Sequence, residues 1–497
     1  MASEPAAAPP DISALATRRG KLTLALLCAV AFLDFVDGSI VNVALPSIRR
    51  DLGFSVQSLQ WVLSGYLLTY GGFMLLGGRA ADLVGRRRLL VGGTCLFAIS
   101  SMLGGVAANE AMMIGARLVQ GVGAAMMLPA ALSLLTTTFS QGRDRHTALG
   151  AWGGIAGLAA AAGVMLGGLL SAGPGWRWVF FVNIPVCVLV VWATFRLIPD
   201  DHRRADLKNF DALGAILATG GMLLLVYTIV EAPTRGWGDV ATIGGLIGAG
   251  VILAGFALNE LRHRNPLFPF SILRIKGLAA ADATQMIAIA GFYSMFFFIT
   301  LYMQNVLGFS QIAAGAAYLP TTFGVAISAG ISSQLFRRIG TRPVIVAGAL
   351  LGAGGIYWLS HIPVDGRYLT DLLPPLVIMA FGVGAVFVGV TTAANDGVSA
   401  DKAGLAAALV NTSQQLGAAL GIAIFSAIAT SRTNELLAAG AAPDHALTSG
   451  FQRALLACSI FLLFAAVIAS RATNTKGEEK EPEPIVETGP LVASEGA

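Results

Sequence analysis

Apolar runs of roughly 20 residues recur along the whole chain, and a run of that length lets an α-helix cross about 30 Å of hydrocarbon. Composition points the same way. Of 497 residues, 55% are hydrophobic and 12% charged, whereas a soluble domain carries about 25% charged residues. So little charge cannot clothe a soluble core of this size. The mean hydropathy is +0.73. The four cysteines, Cys28, Cys95, Cys187 and Cys458, fall inside apolar runs and read as small packing residues rather than a disulfide framework.

Fourteen spans are read between residues 22 and 471. Most of the 32 Lys and Arg residues fall in loops on the side of the amino terminus. Basic residues are retained on the cytoplasmic side, so both termini are expected there, in an inner (plasma) membrane. Segments 1–21 and 472–497 are polar or Pro/Ala-rich and are expected to be cytoplasmic tails, the second disordered. An internal repeat divides the rest. The stretch RAADLVGRRRLLVGG at 79–93 resembles LFRRIGTRPVIVAG at 335–348, and Gly85 aligns with Gly340 at an offset of 255. The chain then parses as a six-helix bundle at 22–200, an inserted two-helix segment with its loops at 201–276, and a second six-helix bundle at 277–471. Two parallel six-helix repeats around a midplane site describe secondary transporters.

The apolar run AVAFLDFVDGSIVNVALP at 29–46 carries two carboxylates, Asp34 and Asp37. An acid near the bilayer centre costs roughly 2.5–3.5 kcal/mol on insertion scales, so such residues mark function or a fixed contact. Three positions apart, they face similarly on a helix. Arg117, in ARLVQGVGAAMMLPA, lies inside the fourth span with Gln120 one turn on. A buried arginine needs a partner or water, although it could instead snorkel to the headgroups. Counting depth along each span puts Arg117 nearer Asp37 than Asp34, so Asp37 is expected to pair with Arg117. Asp34 is then the expected proton or cation site. Both acids serving only helix packing is the competing reading.

Gly78, Asp82, Gly85, Arg86 and Arg87 in GGRAADLVGRRR form a candidate conformational latch, with a topology anchor at anionic headgroups as the alternative for the arginines. Gly121, Gly163, Gly167 and Gly168 thin their helices for close crossing. In GFYSMFFFITLYM, Phe292, Tyr293 and Phe296 are candidates for an adaptable substrate pocket, or else simply face lipid or core. The five histidines, His146, His202, His263, His361 and His445, show no metal-ligand spacing. The chain has no G-x-x-x-x-G-K-[ST] loop, HExxH or G-x-S-x-G. Neither ATP-driven pumping, an enzyme, a metal nor a cofactor is expected. The net charge of +4 is small, and no nucleic-acid partner is expected.

The stretches DGSIVNVALP (37–46), GGRAADLVGRRR (77–88), RLVQGVGAA (117–125), GVMLGG (163–168) and GWRWVFFVNIP (175–185) together resemble the fourteen-span drug:proton antiporters of the major facilitator superfamily. The likeness covers nearly all of 18–471. Asp37 matches the family's first-span aspartate, and Asp34 is additional. The family's fifth-span motif usually reads Gly-Pro, whereas here it is Gly163-Val164. The resemblance implies an all-α membrane fold and export of amphipathic or cationic compounds coupled to proton entry. A narrow exporter of an endogenous metabolite and a non-transporting sensor on the same fold are the alternatives. The oligomeric state is left open.

Overall fold

The computed structural model describes residues 14–139, 142–200, 211–263, 266, 275, 277–395 and 403–474. Most of the expected tails and of the 201–211 and 265–276 loops therefore lie outside the described residues, as do His202 and the side chains of Asp82 and His146. Among the described residues there is no strand.

The first half contains α1 (Arg18–Leu52), the short α2 (Val56–Leu59), α3 (Trp61–Val84), α4 (Arg86–Gly105), α5 (Glu110–Thr138), α6 (Gly142–Ala172), the short α7 (Trp178–Phe181) and α8 (Asn183–Leu197). The inserted pair is α9 (Ala212–Arg235) and α10 (Val240–Arg262). The second half contains α11 (Leu278–Asn305), α12 (Gln311–Ala317), α13 (Leu319–Ile339), α14 (Thr341–Leu359), α15 (Leu373–Asn395), α16 (Ala403–Ala438) and α17 (Pro443–Ala469). Among the described residues, 12 helices are long and apolar enough to cross a membrane. Two further long helices, α3 with 24 residues and α6 with 31, stand outside those 12. The exterior is apolar, as lipid contact requires. Val188, Leu189, Trp192 and Phe195 on α8 and Ile247, Val251 and Leu258 on α10 are all exposed.

Local chemistry fixes the helix ends. The first apolar run reads as 22–46, but α1 extends from 18 to 52 because its polar ends are capped. Thr17 accepts from the Gly20 N–H, and Gly53 closes the helix at φ 77°. Asn109, Asp211 and Ser310 cap α5, α9 and α12 in the same way. The apolar stretch of α12 and α13 breaks at Tyr318, where Pro320 opens α13. Proline lacks an N–H and suits a helix's first turn. Gly85 and Gly340 turn α3 into α4 and α13 into α14 at φ 109° and 87°. A side chain is rarely tolerated at such angles. The repeat offset of 255 recurs in the turn glycines Gly53 and Gly308 and in the capping serines Ser55 and Ser310.

The halves meet along α3 against α16 and α6 against α12 and α13, while α9 packs on both α3 and α16. Helices α1 and α11 run in the same direction. The Tyr293 hydroxyl donates to the Gly38 carbonyl (3.3 Å), Gln304 to the Val43 carbonyl (3.0 Å) and Gln311 to the Ser47 hydroxyl (2.9 Å). These contacts run from the middle of α1 and α11 toward Leu52 and Asn305. Nearer Arg18 and Leu278, two further contacts each lie within one half. Arg19 donates to the Leu197 carbonyl (3.0 Å), and the Arg342 N–H to Asn474 (3.1 Å).

Candidate functional site

Asp37 lies midway along α1 with no solvent exposure, and so do Arg117 and Gln120 on α5. Nη1 of Arg117 is 2.6 Å from Asp37 Oδ2. The other carboxylate oxygen accepts from Gln120 Nε2 (2.9 Å) and Asn183 Nδ2 (3.0 Å). Arg117 also donates through Nε to the Val62 carbonyl (2.9 Å) and through Nη1 to Gln120 Oε1 (2.8 Å). Its guanidinium carbon sits 4.3 Å from the centre of the Tyr66 ring, close enough for cation–π attraction. Asn183 donates further to Ser101 (3.1 Å), which donates to the Phe180 carbonyl (2.9 Å). One carboxylate thereby ties together α1, α3, α4, α5 and α8. Pairing and hydrogen bonds of this kind offset much of the cost of burying two charges, while Arg117 Nη2 is left buried without a hydrogen-bond partner among the described residues.

Asp34, one turn back on α1 and 4% exposed, has different company. Tyr66 donates to its Oδ1 (2.8 Å) and Tyr70 to its Oδ2 (2.9 Å). Among the described residues no Lys or Arg forms an ion pair with it. Two neutral phenols offset less of a carboxylate's desolvation than a guanidinium does. Tyr66 touches both acids' surroundings, hydroxyl on Asp34 and ring under Arg117.

The glycines set the helix spacing around these groups. A methyl on Gly163 would sit 3.0 Å from the Val36 carbonyl oxygen, and one on Gly167 2.7 Å from that of Ile40. Both let α6 lie directly on the acid-bearing stretch of α1. A methyl on Gly168 would sit 2.8 Å from the Gln311 carbonyl oxygen, across the boundary between halves. One on Gly121 of α5 would sit 3.0 Å from the Tyr70 nitrogen, so its absence lets α3 and its tyrosines lie close to α5 and Arg117.

The three aromatics of α11 do not form one wall. Tyr293 reaches Gly38 of the opposite half, and Phe296 stacks at 5.1 Å on Tyr318. Phe292 packs on Gly352 of α14 and into the interior of its own half. At the latch stretch, Gly78 has only ordinary contact with Pro129 (3.9 Å), and Gly85 makes the turn. Arg87 lies over the Phe195 ring (5.0 Å), while Arg88 reaches Asp200 at 3.8 Å on the surface. Arg86 is half-buried. A cavity of about 450 Å³ opens at the far end, between Ser47, Arg50, Asp51, Trp176 and Arg177, well away from the two acids. No metal-binding cluster occurs among the described residues.

Sequence reasoning missed Asn183, Tyr66 and Tyr70. Their signal was present, as polar atoms inside apolar runs, with the tyrosines spaced i, i+4 on one face of α3.

A many-helix membrane protein with a buried ion pair and a second, unpaired acid inside one bundle is the class these features define. The chain belongs to the Major Facilitator Superfamily, whose profile matches residues 27–422. Among curated relatives, it is 37% identical over 453 residues to the puromycin resistance protein pur8 of Streptomyces alboniger, covering 90% of each chain. It is 35% identical over 455 residues to the cephamycin export protein CmcT of Amycolatopsis lactamdurans, covering 91% of this chain and 92% of that one. Among solved structures, it resembles a bacterial homologue of the human lysosomal transporter Spinster, with a TM-score of 0.66 and 17% identity over 92% of this chain and 98% of the other. That likeness concerns the fold alone. The chain is a multi-pass membrane transporter rather than an enzyme.

Proposed function

We propose that this protein exports antibiotics or other drug-like amphipathic molecules from the cell in exchange for protons. The observation that carries the reading is the contrast between the two acids. Asp37 is locked by Arg117, Gln120 and Asn183, whereas Asp34 is held only by two phenols. The names of the similar proteins, which speak of puromycin resistance and cephamycin export, support the substrate class.

On this reading Asp34 binds the proton. As its neutral acid, it sits in the bundle at little electrostatic cost. Once ionised it can receive a cationic group of the substrate, so proton and substrate compete for one carboxylate and exchange becomes obligatory. Each proton entering down a potential of 100 mV contributes about 2.3 kcal/mol. The Asp37–Arg117 pair holds α1 and α5 in register. Asp82, Gly78, Gly85, Arg86 and Arg87 act as the latch, while Tyr293 and Phe296 line the substrate path on the opposite half.

We also propose fourteen spans, arranged as six, two and six with the boundaries given above. The lengths of α3 and α6 support counting them with the other twelve. Both termini then lie in the cytoplasm, and the protein sits in the inner membrane. An efflux and resistance screen in a strain lacking its own pumps tests the function. Expression should lower accumulation of at least one antibiotic, and a protonophore should abolish the effect. Efflux that persists when the gradient is collapsed would contradict proton coupling.

A further inference from the structure

A second buried acid lies outside this site. Asp282 stands near the start of α11, in the other half, and is 9% exposed. Its Oδ2 accepts from the Ser413 hydroxyl of α16 (2.9 Å), but its Oδ1 is buried with no hydrogen-bond partner. One turn along the same face of α11, Gln285 is 1% exposed, and its Oε1 is also buried without a partner. The amide nitrogen of Gln285 points to Gln414 Oε1 at 3.5 Å. Asp282 Oδ1 and Gln285 Oε1 are thus both buried acceptors without a partner among the described residues, an arrangement that native interiors rarely tolerate. The charged residues of α1, α12, α14, α15, α16 and α17, the elements packed on α11, place no counter-ion on this carboxyl among the described residues.

We propose that Asp282 is a second proton-binding carboxylate, with Ser413 and Gln285 as its partners. The inference rests on the exporter reading above. A proton on Oδ1 removes the charge that burial penalises and turns an orphaned acceptor into a hydroxyl. Ser413 remains bonded to Oδ2 in either state.

Dicyclohexylcarbodiimide modifies protonated carboxyls in apolar sites, and it tests the proposal on the full-length wild-type protein in detergent. Mass spectrometry should find the adduct on Asp282, and its yield should fall as pH rises, since the ionised acid does not react. No adduct at any pH, a pH-independent adduct, or protection by Na⁺ at constant pH would each overturn the assignment. A second arm uses proteoliposomes with ethidium as the probe. Asp282→Asn should lose export driven by a pH gradient, and Asp282→Glu should restore it. Wild-type-like export by Asp282→Asn overturns the proposal. Where wild type itself shows no gradient-driven flux, the exporter reading fails, while the labelling result still decides whether Asp282 binds a proton.

Discussion

Replacing Asp37 with asparagine tests the ion pair at the centre of the first half. The carboxylate receives three hydrogen bonds, one on Oδ2 from Arg117 and two on Oδ1 from Gln120 and Asn183. An amide supplies one acceptor oxygen and one NH₂ group. If its oxygen serves Gln120 and Asn183, its NH₂ meets the Arg117 donor head-on at 2.6 Å. If it is flipped, two donors confront the NH₂. Either way Arg117, with no exposure, keeps an uncompensated charge. Breaking a buried pair by removing one partner costs about 3–5 kcal/mol. Asp37→Asn should therefore lower the solubilised yield and the apparent melting temperature as well as transport. Adding Arg117→Gln removes the orphaned charge and should recover much of both, with a favourable coupling above about 0.5 kcal/mol in the double-mutant cycle. An Asp37→Asn variant that melts like wild type, or a double variant no better than the single, would refute the argument.

Three further outcomes follow from other parts of the fold. Asp82→Asn should insert and fold normally but turn over slowly, since it removes a charge from a helix end without changing volume; wild-type turnover in proteoliposomes would leave Asp82 as a topological residue. Gly167→Ala places a methyl 2.7 Å from the Ile40 carbonyl oxygen and should destabilise by about 1–3 kcal/mol. Gly150→Ala, with nothing within 4 Å of the added methyl, should melt like wild type, and equal melting of the two would contradict the packing account. Single cysteines in the 201–211 and 265–276 loops of a Cys-less protein should label from the cytoplasm, and one near residue 235 from outside. External labelling of the 201–211 loop would break the fourteen-span topology.

The all-helical membrane fold was legible because a length rule and a composition rule agree over the whole chain. The pairing of Arg117 with an acid of α1 could be reasoned because a buried arginine demands a counter-charge and depth along each span limits the choice. Side-chain direction was not legible where a helix is apolar on every face. Nothing in GFYSMFF tells Phe292, which packs inside its own half, from Tyr293, which crosses to Gly38. The tyrosines around Asp34 and Asn183 beside Asp37 were hidden for a related reason. Their bodies or backbones fit an apolar run, and only the neighbouring helix shows what their polar tips are for. Asp282 stood in plain view near the start of α11, but its importance comes from Ser413 and Gln285, and Ser413 lies on a different helix.

The central claim is that Asp34 carries the coupling proton while Asp37 does not. Its most direct test compares Asp34→Asn with wild type in proteoliposomes, measuring export driven by a pH gradient and exchange of substrate for substrate without one. The account predicts that Asp34→Asn folds with normal yield, since its amide oxygen can still accept from one tyrosine, loses gradient-driven export and keeps exchange. Undiminished gradient-driven export by Asp34→Asn, with coupling lost instead in a well-folded Asp37→Asn, would contradict it and reverse the roles of the two acids.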